Sequence, residues 1–229
     1  DRSAKVYTIS EAFVARFLSA TQTTPLKKKD KTIVKVKHTL KKREIENKDK
    51  PAGPDTQTQT NSSHFMFADD SIGSFFRRCC FSPCGNIVFF PAGIYQDPAV
   101  AEPLNCIYLF ARNALSKPAA AFSLPGKGAV CIRCNPIQFK NKNVSNPIFR
   151  MGYRIVFAVA TMDAKVIVFD TEQPFPLALI EGIHYAPATD LAWTPNGEEL
   201  IVSSIDGYCT IITFQPGELG EVHSTTTQQ

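Results

Sequence analysis

Residues 182–214 read Gly182-Ile183-His184-Tyr185, an apolar run ending in Trp193, the turn Thr194-Pro195-Asn196-Gly197, a second apolar run, Asp206-Gly207, and a third run to Phe214. Three short strands joined by two tight turns, with Gly-x-His leading in, are what one blade of a β-propeller requires. Propellers of this kind work mostly as rigid platforms for other macromolecules, so a pocket enzyme is a poor expectation from the outset.

Working backwards along the chain, the third strand of such a blade in a WD repeat should follow an Asp-Gly turn and end in an aromatic-Asp pair. Asp163-Ala164-Lys165-Val166-Ile167-Val168-Phe169-Asp170 fits well, and Asp1-Arg2-Ser3-Ala4-Lys5-Val6-Tyr7-Thr8 fits with Tyr7 in the aromatic place. Asp206 to Thr213 keeps the turn and loses the aromatic, whereas Cys106 to Ala111 keeps an aromatic and lacks the turn. The expected fold is therefore all-β, a WD-repeat propeller of which this chain supplies roughly the C-terminal three to four blades of seven. A start on a third strand, with no initiator Met, gives the expectation of a fragment. Residues 1–20 are read as the end of a blade, 21–63 as a basic disordered insertion with room for one brief strand at Ile33-Val34-Lys35-Val36, 64–214 as about three blades and 215–229 as a flexible tail. Within the blades, strands are expected at Ser74 to Phe81, Asn86 to Phe90, Cys106 to Ala111, Val130 to Cys134, Arg154 to Ala160 and Lys165 to Asp170, with a loop from Pro91 to Asn105.

Composition narrows the class. The 229 residues are 44% hydrophobic and 10% aromatic, enough for a sizeable core. No run of about 18 apolar residues and no signal pattern at Asp1-Arg2-Ser3 points to a soluble intracellular chain without membrane contact. Seven Cys in such a chain are expected as reduced thiols; Cys131-Ile132-Arg133-Cys134 has CxxC spacing but no second pair completes a zinc set. The formal charge of +4 is uneven: Thr21 to Thr60 holds 11 Lys and Arg against 5 Asp and Glu, a local +6 that leaves −2 elsewhere. Lys27, Lys28, Lys29, Lys41, Lys42 and Arg43 have three readings: a nuclear import signal, a contact to DNA phosphates, or a solvated insertion.

Two constellations could mimic chemistry. His184 with Ser203 or Ser204 and Asp206 matches three parts of the hydrogen-bonded network that braces a WD blade; Ile212 stands where its Trp belongs. Acid-base catalysis is the competing reading, and bracing is preferred because a turn carboxylate that orients a buried imidazole satisfies costly polar groups. Asp69-Asp70 could serve hydrolysis but occupies the loop that leads into a blade. In Ser74-Phe75-Phe76-Arg77-Arg78, strand alternation would send one Phe into the core and the other against a neighbouring blade. Phe76, Arg77 and Arg78 are the candidates for a partner-facing or inter-blade cluster. No serine elbow, phosphate loop or HExxH occurs, and no catalytic residue, metal, cofactor or small-molecule substrate is expected.

Several longer words are particular beyond any general repeat: Phe67-Ala68-Asp69-Asp70-Ser71, Phe75-Phe76-Arg77-Arg78, Phe81-Ser82-Pro83, Pro91-Ala92-Gly93, Pro125-Gly126-Lys127, Tyr153 to Ala160, Phe169-Asp170-Thr171, and Ser204 to Cys209 with Leu219-Gly220. In these the chain resembles the WD-repeat B-subunit family of chromatin assembly factor 1. The resemblance implies a non-catalytic nuclear scaffold in a histone chaperone complex that deposits new histones H3 and H4 on DNA during replication and repair. It also implies the large and histone-binding subunits as partners, and histones through the complex. Two alternatives remain beside it: the related replication-independent chaperone, which shares the Phe-Arg-Arg segment, and a WD-repeat protein that makes a weak DNA contact through its basic loop. Pro91-Ala92-Gly93 and Asp206-Gly207-Tyr208-Cys209 favour the assembly factor.

Overall fold

The computed structural model describes residues 2–9, 34–45, 62–69, 73–96 and 102–223, and among them there are strands and no helix. Fifteen strands run in order: β1 (Ala4–Ile9), β2 (Val34–Leu40), β3 (Lys42–Ile45), β4 (Ser62–Phe65), β5 (Cys80–Phe81), β6 (Ile87–Tyr95), β7 (Leu104–Ala111), β8 (Ala120–Ser123), β9 (Ala129–Phe139), β10 (Arg154–Thr161), β11 (Val166–Asp170), β12 (Ala178–Ile180), β13 (Ala188–Trp193), β14 (Glu199–Ser204) and β15 (Cys209–Thr213). They form antiparallel sheets β5-β6-β7-β8, β9-β10-β11-β12 and β13-β14-β15, preceded by the pairs β1-β2 and β3-β4. The three larger sheets are successive blades, each a meander of consecutive strands, and the architecture is that of a partial β-propeller.

Burial shows how the blades hold one another. All eight residues of β10 are buried. Alternate side chains leave opposite faces of a strand, and accordingly Val156, Ala158 and Ala160 enter one core with Leu191, Leu200 and Val202 of the closing blade. Ile155, Phe157 and Val159 enter another with Ile87, Phe89, Ile107 and Leu109 of the blade before. A third core joins Val88, Phe90, Tyr108 and Phe110 to Leu40, with Ala4 and Val6 packed on it. Each core is thus an interface between neighbouring sheets, which is why the middle strands read as continuous apolar runs.

The same turn recurs in two blades. In Ser82-Pro83-Cys84-Gly85 the Gly85 N–H donates to Ser82 O at 2.8 Å, and in Thr194-Pro195-Asn196-Gly197 the Gly197 N–H donates to Thr194 O at 2.9 Å. Both glycines have positive φ, 71° and 72°, a region that costs a side-chain-bearing residue about 1–2 kcal/mol. Gly197 has a second constraint, since an added Cβ would collide with Asn135 Oδ1.

Four expectations are corrected. Within the insertion expected to be disordered, strands occupy residues 34–40, well beyond the brief one allowed at Ile33 to Val36, and also 42–45 and 62–63: β2 pairs with β1 from Ala4↔Leu40 to Ile9↔Val34, and β3 pairs with β4. Backbone pairing with flanking strands supplies what the segment's weak apolar content does not. The strand expected from Ser74 is reduced to Cys80–Phe81, because the preceding chain bends. The loop expected from Pro91 is strand through Tyr95: Ala92 takes φ 57°, the register slips between Phe90 and Gly93, and pairing resumes as a bulge. The tail is docked as far as His223, whose N–H donates to Gln138 O at 2.8 Å, while Leu219 is buried in a core. The remainder of 21–63 and residues 224–229 lie outside the described residues.

Candidate functional site

In the closing blade His184, Ser203, Ser204 and Asp206 each make side-chain hydrogen bonds. His184 Nδ1 lies 3.0 Å from Asp206 Oδ1, and the other carboxylate oxygen accepts the Tyr185 N–H at 3.0 Å. Ser204 Oγ donates to Ala186 O at 2.9 Å, and Ser203 Oγ meets Thr189 Oγ1 at 2.8 Å. His184 is buried, its ring lies 4.6 Å from Tyr208, and its Nε2 has no hydrogen-bond partner among the described residues. With Ile212 in place of an indole the bracing network is one member short. Burial pushes the Asp206 carboxyl up, but the hydrogen bonds from Ser204, Tyr185 and His184 outweigh it and hold the group below its usual 3.8. A carboxylate depressed on folding stabilises the fold above its unfolded value and loses that contribution as pH falls through the folded one. Thermal melts from pH 6 down to pH 2.5 should therefore show an acid-side loss that Asp206→Asn makes shallower; an unchanged slope would contradict the bracing role.

Phe76, Arg77 and Arg78 are brought together, but not on a strand. Phe75 is 97% exposed and Phe76 half-buried, so neither ring enters a core, which corrects the alternation expected of a strand. The two rings meet edge to face at 6.2 Å. Arg77 is exposed and donates to Asp69 O, while Asp70 is outside the described residues. Arg78 is the inter-blade member. Its guanidinium lies 4.5 Å over the Phe76 ring, its Nε donates to Thr189 O at 3.0 Å, and its backbone pairs with Val130 and Ile132 of β9. Sequence reading missed the acid that collects these cations: Asp190 takes Arg133 at 2.8 Å and Arg78 at 3.6 Å, and accepts the Cys131 thiol at 3.1 Å. With side chains about a third exposed, each ion pair is worth roughly 1 kcal/mol or less.

Tyr185, 98% exposed, and the exposed Ile205 and Tyr208 surround Asp206. Phe75-Phe76-Arg77 and Ile183-His184-Tyr185 each lead into the first strand of a blade. The parallel bridge Arg78↔Cys131 shows that neighbouring first strands run the same way, so the repeat places both of these segments at one end of the blades. Exposed aromatics with Arg are what protein interfaces enrich.

Of the basic candidates, Lys27, Lys28 and Lys29 are outside the described residues. Lys41 and Lys42 lie 5.8 and 5.0 Å from the Phe65 ring centre, with Arg2 at 4.5 Å, and Arg43 lies 4.9 Å over Tyr95. These cations are gathered on aromatic faces at the sheet edge, a device that lysine counting along the sequence does not reveal. The CxxC pair is not a chelating set: Cys131 and Cys134 are three apart on a strand and face opposite sides, Cys131 toward Asp190 and Cys134 toward Cys80. Among the described residues no three His, Cys, Asp or Glu are arranged to hold a metal.

Residues 14–219 match the family model described as the CAF1B/HIR1 beta-propeller domain. The chain is 37% identical over 201 residues to the B-subunit of chromatin assembly factor 1 of Mus musculus, covering 82% of this chain and 34% of that protein. It is 39% identical over 184 residues to the chromatin assembly factor 1 subunit FAS2 homolog of Oryza sativa, covering 80% and 34%. To protein HIR1 of Chaetomium globosum it is 28% identical over 158 residues, covering 68% and 14%. The chain thus spans about a third of the length of the chromatin assembly factor relatives.

Proposed function

The chain belongs to the CAF1B/HIR1 β-propeller family, and from that premise we propose that it serves as a non-catalytic scaffold subunit of a nuclear histone chaperone complex, one that deposits newly made histones H3 and H4 on DNA in replication- and repair-coupled assembly. The observation that carries the reading is the similarity to the chromatin assembly factor relatives, at 37% identity against 28% for protein HIR1. The surface fits a scaffold: exposed Phe75, Arg77 and Tyr185 sit where the chain leads into its blades. Histones, the large subunit and the histone-binding subunit are the proposed partners.

Pull-down of the full-length protein with the large chromatin assembly subunit tests this. Retention should exceed that of an unrelated propeller, and Phe75→Ser with Arg77→Glu should lower it about tenfold or more. Equal retention of both propellers would sink the proposal. A second reading, favoured by the cations around Phe65 and Tyr95, makes the basic segment an import or DNA-contact element. In the same preparations, glutamine at Lys27, Lys28, Lys29, Lys41, Lys42 and Arg43 separates the two. A flatter salt dependence of DNA retention supports phosphate contact, and lost nuclear accumulation with an unchanged salt slope supports import.

A further inference from the structure

Cys80 on β5 and Cys134 on β9 belong to different blades, 54 residues apart in sequence, yet their sulfurs stand 3.5 Å from each other. Their approach is fixed by backbone. Arg78 N–H donates to Val130 O at 2.8 Å and Ile132 N–H to Arg78 O at 3.0 Å, holding the two strands in parallel register just before the thiols. Both cysteines are partly buried against the core between the first and second full blades. A disulfide needs its sulfurs about 2.05 Å apart, so the pair must close by roughly 1.5 Å to bond.

We propose that Cys80 and Cys134 are a peroxide-responsive modification site, which on oxidation forms a disulfide that ties the first full blade to the second. The Cys80 thiolate attacks one oxygen of a hydroperoxide, the O–O bond breaks, and hydroxide (or the alkoxide) leaves as the sulfur is oxidised by two electrons to a sulfenic acid. The Cys134 sulfur then attacks that sulfur, the S–O bond breaks, and the thiol proton departs with the hydroxyl as water. With hydrogen peroxide, two thiols and one oxidant give one disulfide and two waters.

Position selects this pair among seven thiols. The hydrogen bond from Cys134 is the main influence lowering the Cys80 thiol, with burial opposing it and the Arg133 charge assisting. Cys131 is fully buried and bonded to Asp190, and burial pushes it up to about 12. Cys106 is likewise buried and pushed up to about 12. Cys84, in the turn after β5, is held by Ser82 Oγ at 3.3 Å, and Cys79 and Cys209 are exposed without a facing sulfur.

The test treats the full-length protein with stoichiometric hydrogen peroxide, blocks free thiols, and maps peptides by mass spectrometry without reduction. A Cys80–Cys134 linked peptide, 2 Da lighter than the sum of its thiol peptides and released by dithiothreitol, should be the main product. It should raise Tm by roughly 5–10 °C. Cys134→Ser should abolish the link and leave a Cys80 sulfenic acid that dimedone captures. Oxidation confined to Cys79 and Cys209, or a link that appears only after unfolding, would overturn the proposal. Because the wild-type map is decisive by itself, a variant that fails to fold does not rescue the idea.

Discussion

Arg154→Met is expected to lower stability by about 3–5 kcal/mol, because it removes one partner from a buried ionic group and leaves the other behind. Arg154 is 1% exposed; its Nη1 lies 3.3 Å from Asp170 Oδ2, and Asp170 and Glu172 are themselves buried. Its Nε donates to Lys140 O at 3.1 Å, its Nη2 donates to Leu219 O, and its guanidinium lies 5.2 Å from the Phe139 ring centre. Burial pulls the guanidinium down in pKa, and the Asp170 and Glu172 charges oppose that pull. In the variant, Lys142, 3.1 Å from Asp170 and half exposed, is the remaining neutralising charge near Asp170. Denaturant unfolding of Arg154→Met, Asp170→Asn and the double variant measures the coupling. The double variant should cost at least 1 kcal/mol less than the sum, and a single-variant loss under about 1 kcal/mol would contradict a buried pair. The docked tail should loosen first, seen as faster hydrogen exchange at His223 and Lys140, whose amides pair between the tail and the C-terminal end of β9 with the residue after it.

That tail marks a limit of sequence reading. Gln215 to His223 carries few apolar residues, and nothing local predicts that a buried arginine 65 positions earlier would bind the Leu219 carbonyl. The blades were legible because turn chemistry is local: Thr194-Pro195-Asn196-Gly197 and Asp206-Gly207 state their φ requirements in their own residues. Strands buried on both faces, such as β10, announce themselves as unbroken apolar runs. Outer strands did not, since Ala120–Ser123 and Ala178–Ile180 are three or four residues long and follow Pro118 and Pro176. At the candidate surface, His184 and Asp206 were legible from blade spacing. Asp190 was hidden because its value lies in receiving Arg78 and Arg133 from other strands. Phe75 was misread because alternation holds only where the chain is a strand.

Phe157→Ala should cost a further 3–5 kcal/mol by a different mechanism, the loss of packing between two blades. Phe157 is fully buried on β10, and its ring is 4.8 Å from Phe89, 5.7 Å from Phe122 and 5.6 Å from Phe169. Phe89 and Phe122 come from the blade before and Phe169 from its own, so the ring is a contact through which the two sheets share a core, with Ile155 and Val159 beside it. Truncation to Ala removes these aromatic contacts and opens a cavity between sheets that backbone pairing within each blade holds apart. Phe157→Leu keeps most of the volume and should cost only about 1–2 kcal/mol. Chemical denaturation reads both, and equal losses for Ala and Leu would show that the site collapses freely. The consequence reaches the proposed scaffold role. Arg78 and Cys80 cross to β9 at this same blade boundary, so Phe157→Ala should weaken retention of the large subunit without touching an exposed residue. Below its melting temperature, a variant that is folded but slack at the boundary should regain retention once the Cys80–Cys134 bond is closed by peroxide, whereas Phe75→Ser with Arg77→Glu should not. Rescue of one and not the other separates loss of blade alignment from loss of contact.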